Sequence, residues 1–131
     1  MNYKFIFILI KLLIFFHLPQ SSAFARSWAK LGETESVVIY VDRNSIERTP
    51  TGKRAWEMQD LKKPDSDGVL SRFYMNEFDC KLKLHRISQV TSYSGKKLSG
   101  RKIAEIPDVG YWRKIPATGL FVVGYILHCV D

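Results

Sequence analysis

Val37-Val38-Ile39-Tyr40-Val41 is a β-branched and aromatic run, closed at once by Asp42-Arg43-Asn44-Ser45. Those closing side chains hydrogen-bond their own backbone in turns. The same rhythm of short run and turn signal recurs down the chain and predicts successive antiparallel strands. Ile46 restarts a short segment before the turn Thr49-Pro50-Thr51-Gly52. Arg54 to Leu61 then alternates, with Trp56 and Met58 on one face and Glu57 and Gln59 on the other. Lys62 to Gly68 is a polar loop. Val69 to Ile87 is long enough for one long strand or two in sequence. Within it Tyr74, Phe78, Cys80, Leu82 and Leu84 share the parity of a buried face, and Lys81, Lys83 and His85 take the other. Tyr93-Ser94-Gly95-Lys96 is a turn, and Leu98 to Ile106 is a further strand.

The last apolar stretch, Ile115 to Val130, fits two structures. Pro116 suits a helix start, Thr118 a cap, and Leu120, Val123, Gly124 and Leu127 repeat at helical spacing. Phe121-Val122-Val123 and Ile126 suit a strand equally, and periodicity does not arbitrate runs this short. In either form the stretch is expected in the core.

Met1 to Ala25 reads as a secretory signal peptide. Lys4 supplies a positive start, Phe5 to Leu18 is apolar apart from Lys11, and Ala23-Phe24-Ala25 sets small residues before a cleavage point. The alternative, an uncleaved anchor, needs roughly 20 apolar residues to span a bilayer, and this run has 14 positions, one of them lysine. Cleavage leaves residues 26–131 as a single domain with no transmembrane span. No cysteine lies near the cleavage point, so a lipoprotein is not expected. The protein is placed in the periplasm, at the cell surface or outside the cell. In that setting Cys80 and Cys129 are expected as a disulfide, the alternative being two buried thiols.

Without Lys4 and Lys11 the chain carries 18 basic against 13 acidic residues, a net charge of +5. The excess is concentrated between residues 81 and 114, where nine cations face only Glu105 and Asp108. Lys81 and Lys83, about 7 Å apart if on one strand face, with Lys96, Lys97, Arg101 and Lys102 beside a neighbouring hairpin, are the candidate binding residues. Convergence of these six on one surface would attract anionic polymers. The alternative is a solvated face that keeps the protein soluble. Arg113 and Lys114 beside Trp112 extend the basic stretch, while Trp28, Trp56 and Trp112 are expected mainly as core anchors.

Catalytic chemistry has little to build on. His85 alternates with lysines on an apparent solvent face, His128 adjoins a cysteine, and Asp65 and Asp67 lie in a turn-rich loop. Glu77 and Asp79 share a strand face and suit pairing with a basic neighbour. The histidines and cysteines lack zinc-ligand spacing, and no phosphate-cradling glycine loop is present. No enzyme activity, cofactor or metal is expected.

Several spaced features together resemble the surface-adhesin protein E-like domain, a family of small exported bacterial proteins. They are Trp28, then Val38-Ile39-Tyr40-Val41-Asp42 with Ser45-Ile46, then Trp56, then Asn76-Glu77-Phe78-Asp79-Cys80 with Lys81 and Arg86 after it. Trp112 with Ile115-Pro116, and a near-terminal Cys129, complete the set. The resemblance implies an α+β fold: a single antiparallel sheet of about five to six strands, with a C-terminal helix tied to it by a Cys80–Cys129 disulfide. It also implies adhesion to host extracellular-matrix or serum proteins. Pro116-Ala117-Thr118 departs from a Pro-Gly-Ser helix opening, and Val122, Val123 and Gly124 are poor helix formers.

The expected function is therefore an exported binding module for extracellular-matrix proteins, serum proteins or anionic glycans, with no role for intracellular nucleic acid. The alternative is a periplasmic accessory protein that binds an envelope partner. The sequence does not specify the ligand or the oligomeric state.

Overall fold

The computed structural model describes residues 25–130; the expected leader, residues 1–25, lies outside them except for Ala25. Among the described residues eight strands and one α-helix follow in order: β1 Trp28–Glu33, β2 Val37–Asp42, β3 Glu47–Arg48, β4 Gly52–Leu61, β5 Ser71–Asp79, β6 Leu84–Tyr93, β7 Lys102–Val109, β8 Arg113–Lys114 and α1 Leu120–Cys129. All pairings are antiparallel. The sheet runs β1-β2-β4-β5-β6-β7, with β3 added to β4 and β8 to β6. The α+β architecture matches the expectation, and the ambiguous C-terminal stretch is a helix.

Alternation puts Phe78 of β5 and His85 of β6 on one face as a cross-strand pair. Helix α1 packs on this face. Gly124 lies over Phe78 and Leu31, Phe121 stacks on His85 with ring centroids 4.4 Å apart, and His128 sits 5.2 Å from the Phe78 ring. The Cys80–Cys129 disulfide joins the last turn of the helix to the end of β5, with the two Cα atoms 5.3 Å apart. The Tyr125 hydroxyl donates to the Cys80 carbonyl oxygen beside it.

Details of the helix differ from expectation. Gly119, not Thr118, occupies the N-cap position, and no side chain caps the helix. Nor is the segment wholly core: Ile126, Leu127 and Val130 are exposed, because one helix resting on one face of a sheet can bury only one of its sides. Gly124, a poor helix former, is explained by contact. A Cβ there would stand 2.9 Å from Phe78 Cζ, closer than carbon atoms pack.

The opposite face carries a smaller aromatic layer. Trp56 stacks on Phe73 at 4.4 Å and Trp28 meets Phe73 edge-on. The Arg26 guanidinium lies 4.4 Å from the Phe73 ring and pairs with the buried carboxylate of Asp42. Trp28 and Trp56 are thus half-buried anchors, with the buried Met58 and Met75 on the same face. Trp112 is different: it is partly exposed and stacks on Arg86 at 4.4 Å, while Glu77 grips that guanidinium through both carboxyl oxygens. The sequence-level pairing of Glu77 with a basic neighbour is found here. Asp79 instead accepts the backbone N–H groups of Lys81 and Leu82 and closes a turn.

A buried polar group lies on the helix-covered face. Glu57, expected on a polar face, is 1% exposed because α1 covers that side of β4. The Asn76 amide donates to one Glu57 carboxyl oxygen at 3.1 Å, and Tyr74 lies across from Glu57 on β5. Burial pushes the Glu57 carboxyl up to about 7, against the lowering effect of the Asn76 hydrogen bond.

Candidate binding surface

The turn between β5 and β6 decides where the candidate cations go. Strand β5 ends at Asp79, and residues 80–83 form the turn, with Lys83 in the left-handed region at φ 55°. Lys81 and Lys83 therefore stand on a turn and not along a strand face. The parity expected across 74–84 breaks there, leaving Leu82 69% exposed. His85, assigned by that parity to a solvent face, is 6% exposed beneath Phe121.

Lys96 and Lys97 lie in a short 3-10 turn at the far end of β6, and Arg101 and Lys102 lead into β7 beside them. The ten residues of β6 separate the two groups by about 30 Å. The six cations therefore do not converge on one surface, because paired strands bring together residues at the same end and Lys81 and Lys96 are at opposite ends. At the far end, the Lys97 ammonium is 5.6 Å from the Tyr40 ring, its backbone N–H donates to Asp60, and Lys102 pairs with Glu105.

The near end gains two cations that the sequence had placed only as an extension. Strand β8 pairs Arg113 with His85 and Lys114 with Leu84, and the Ile115 N–H reaches the Lys83 carbonyl oxygen at 3.3 Å. Lys81, Lys83, Arg113 and Lys114 thus share one end of the sheet; all four are exposed, and none is in an ion pair among the described residues. The signal for this grouping was the two-residue strand β8, too short to be read from a run of Tyr111-Trp112-Arg113-Lys114.

Beside Arg113 and Lys114 is a cleft of about 440 Å³ between the start of β6, the 110–116 segment and α1. Tyr111, 86% exposed, and Phe121 supply aromatic surface, with Pro116 on the rim. Gly110 makes the cleft possible. Its N–H bonds the Ile87 carbonyl oxygen at 2.9 Å, and a Cβ would stand 2.2 Å from that oxygen. The His85 imidazole reaches the cleft with its Nδ1 buried and lacking a partner among the described residues. Burial first, then the Arg113 charge, lowers its pKa and favours the neutral imidazole.

The remaining candidates are structural. His128, 3% exposed, packs on Phe78, and burial first, with Lys53 adding to it, lowers its pKa to about 4. Asp65 accepts the N–H groups of Asp67 and Val69 and pairs with Arg72, which fixes the 65–69 loop. Among the described residues no helix is long and apolar enough to cross a membrane.

The profile of one known family, described as Surface-adhesin protein E, matches residues 28–123. No curated protein and no solved structure gives a significant match. The matched span runs from the first residue of β1 into α1 and takes in every strand. The chain belongs to the surface-adhesin protein E family.

Proposed function

We propose that this protein is an exported, non-enzymatic binding module that contacts external ligands: extracellular-matrix or serum proteins, or anionic glycans. On this reading residues 1–25 are removed on export and residues 26–131 form the working domain. Family membership supports adhesion, and one observation favours anionic ligands. Lys81, Lys83, Arg113 and Lys114 crowd one end of the sheet, exposed and with no acidic partner among the described residues. Holding like charges together in this way costs free energy by mutual repulsion, and an anionic ligand relieves it. Lys96, Lys97 and Arg101 form a second, weaker attractor at the other end.

The test combines location with binding. Antibody or protease access on intact cells, against a periplasmic control, is expected to find the domain exposed. The purified protein is expected to bind matrix proteins or heparin in a salt-dependent manner, with affinity falling steeply as ionic strength rises. A domain protected inside an intact envelope, co-purifying with one stoichiometric partner, would replace this reading with that of a periplasmic accessory protein.

A further inference from the structure

We infer that the cleft between β6, the 110–116 segment and α1 is a preformed subsite for one acidic sugar unit of a glycan, such as a uronate. The inference rests on the binding-module reading above and gives it a location and a ligand class.

Its volume of about 440 Å³ lies within the usual range of small-ligand pockets, roughly 300–1,000 Å³. The wall chemistry is mixed in the way an acidic sugar requires. Arg113 and Lys114 offer donors to a carboxylate, and both are exposed without ion-pair partners among the described residues. Tyr111 presents a large aromatic ring to solvent, a surface on which the C–H face of a pyranose can stack. His85 forms part of the inner wall, its imidazole almost fully buried beneath Phe121, so an occupant of the cleft lies against its ring.

The third cation lining the cleft, Arg86, is already engaged. Glu77 and Trp112 hold its guanidinium. An acidic peptide is the less suitable occupant. Peptides commonly add along a strand edge, and β6, which forms one wall of the cleft, has that edge covered by β7 and β8, which leaves only the two-residue β8 to pair with beside Arg113 and Lys114. The Gly110 N–H, the next donor along, is spent on Ile87.

The experiment titrates the purified exported protein with a glucuronate–N-acetylglucosamine disaccharide, its neutral methyl ester, a hexaglutamate peptide and polymeric heparin, by calorimetry and NMR. The disaccharide is expected to bind and to shift His85 ring resonances, and the methyl ester to bind at least about tenfold more weakly, the loss of one charge-assisted contact. Arg113→Gln with Lys114→Gln should weaken the disaccharide by about tenfold or more, and Tyr111→Ala by several-fold. The remote Lys63→Gln, in the loop between β4 and β5, should leave it unchanged. All of these side chains are exposed, so the variants are expected to fold. Heparin binding with no disaccharide binding, or disaccharide binding equal in every variant, overturns the subsite while leaving the binding-module reading intact. Tighter binding of hexaglutamate at the same residues also overturns it. Absence of binding to heparin, disaccharide and matrix proteins alike removes both.

Discussion

Gly124 of the helix lies directly over Phe78 of β5, close enough that a single added methyl group would stand 2.9 Å from Phe78 Cζ, with Leu31 Cδ2 at 3.7 Å. Phe78 is fully buried and cannot swing aside. Two effects oppose each other at this position. Alanine favours a helix interior by up to about 1 kcal/mol over glycine, whereas overpacking costs about 1–3 kcal/mol. Gly124→Ala is therefore expected to destabilise by about 1 kcal/mol, and Gly124→Val by more. Denaturant midpoints check the order, and Phe78→Leu should reduce the penalty of Gly124→Ala in a double-mutant cycle.

The Cys80–Cys129 bridge closes a loop with a sequence separation of 49. In the chain-entropy account such a loop stabilises by roughly 4 kcal/mol. Cys129→Ser should lower the thermal midpoint strongly, and a reductant should reproduce that loss in the parent protein but not in the variant. An unchanged midpoint under reductant would show that the helix holds by packing alone.

Two buried groups give opposite pH dependences. His128 titrates near 6.5 when unfolded and about 4 when folded, so the unfolded state binds more protons in between and stability falls as pH drops through that window. Glu57 is the reverse. Its carboxyl titrates near 4.5 unfolded and about 7 folded, so the stability it contributes is full below 4.5 and is lost as pH rises toward 7. Each is worth about 3 kcal/mol at most, and between pH 4.5 and 6.5 they largely cancel. Glu57→Gln should expose a clear loss of stability on acidification, and His128→Gln should show a gain. Midpoints measured from pH 4 to 8 would settle both; parallel curves for all three proteins would refute the assignment.

Glu77 holds Arg86 through both carboxyl oxygens, and Arg86 in turn lies 4.4 Å from the Trp112 ring. This stack fixes the segment that leads into β8. Arg86→Ala should cost about 1–2 kcal/mol and make Trp112 more accessible to a fluorescence quencher. Glu77→Gln should show the same direction with a smaller amplitude. Unchanged quenching in both would mean that β8 alone positions the tryptophan.

The strands legible in the sequence were those marked by a β-branched run or by alternation and closed by turn residues. Val37–Asp42, and the turns at 49–52 and 93–96, fell where β-branched runs and turn residues placed them. The helix was not separable from a strand by periodicity, because α1 is apolar nearly all round. Parity misled at 80–85, since a turn resets the alternation and no residue there announces it; Lys83 adopts a left-handed backbone that lysine rarely takes. Glu57 gave no sign of burial, since a glutamate between Trp56 and Met58 reads as the polar side of a strand until a helix covers it. The basic residues were visible, but their grouping depends on which end of β6 each occupies.

If the two ends of the domain are pulled apart, as the adhesive role proposed above would require, the bridge also decides which part of the chain carries load. Tension applied between residues 26 and 130 passes along the chain to Cys80, crosses the sulfur atoms to Cys129 and bypasses everything between. Strands β6 to β8, the 110–116 cleft and the helix are thus shielded from extension, and about 170 Å of contour length is withheld from stretching. Only β1 to β5 can be drawn out, beginning at the edge strand β1. Under reducing conditions that hidden length is released, and the molecule becomes a longer and softer tether.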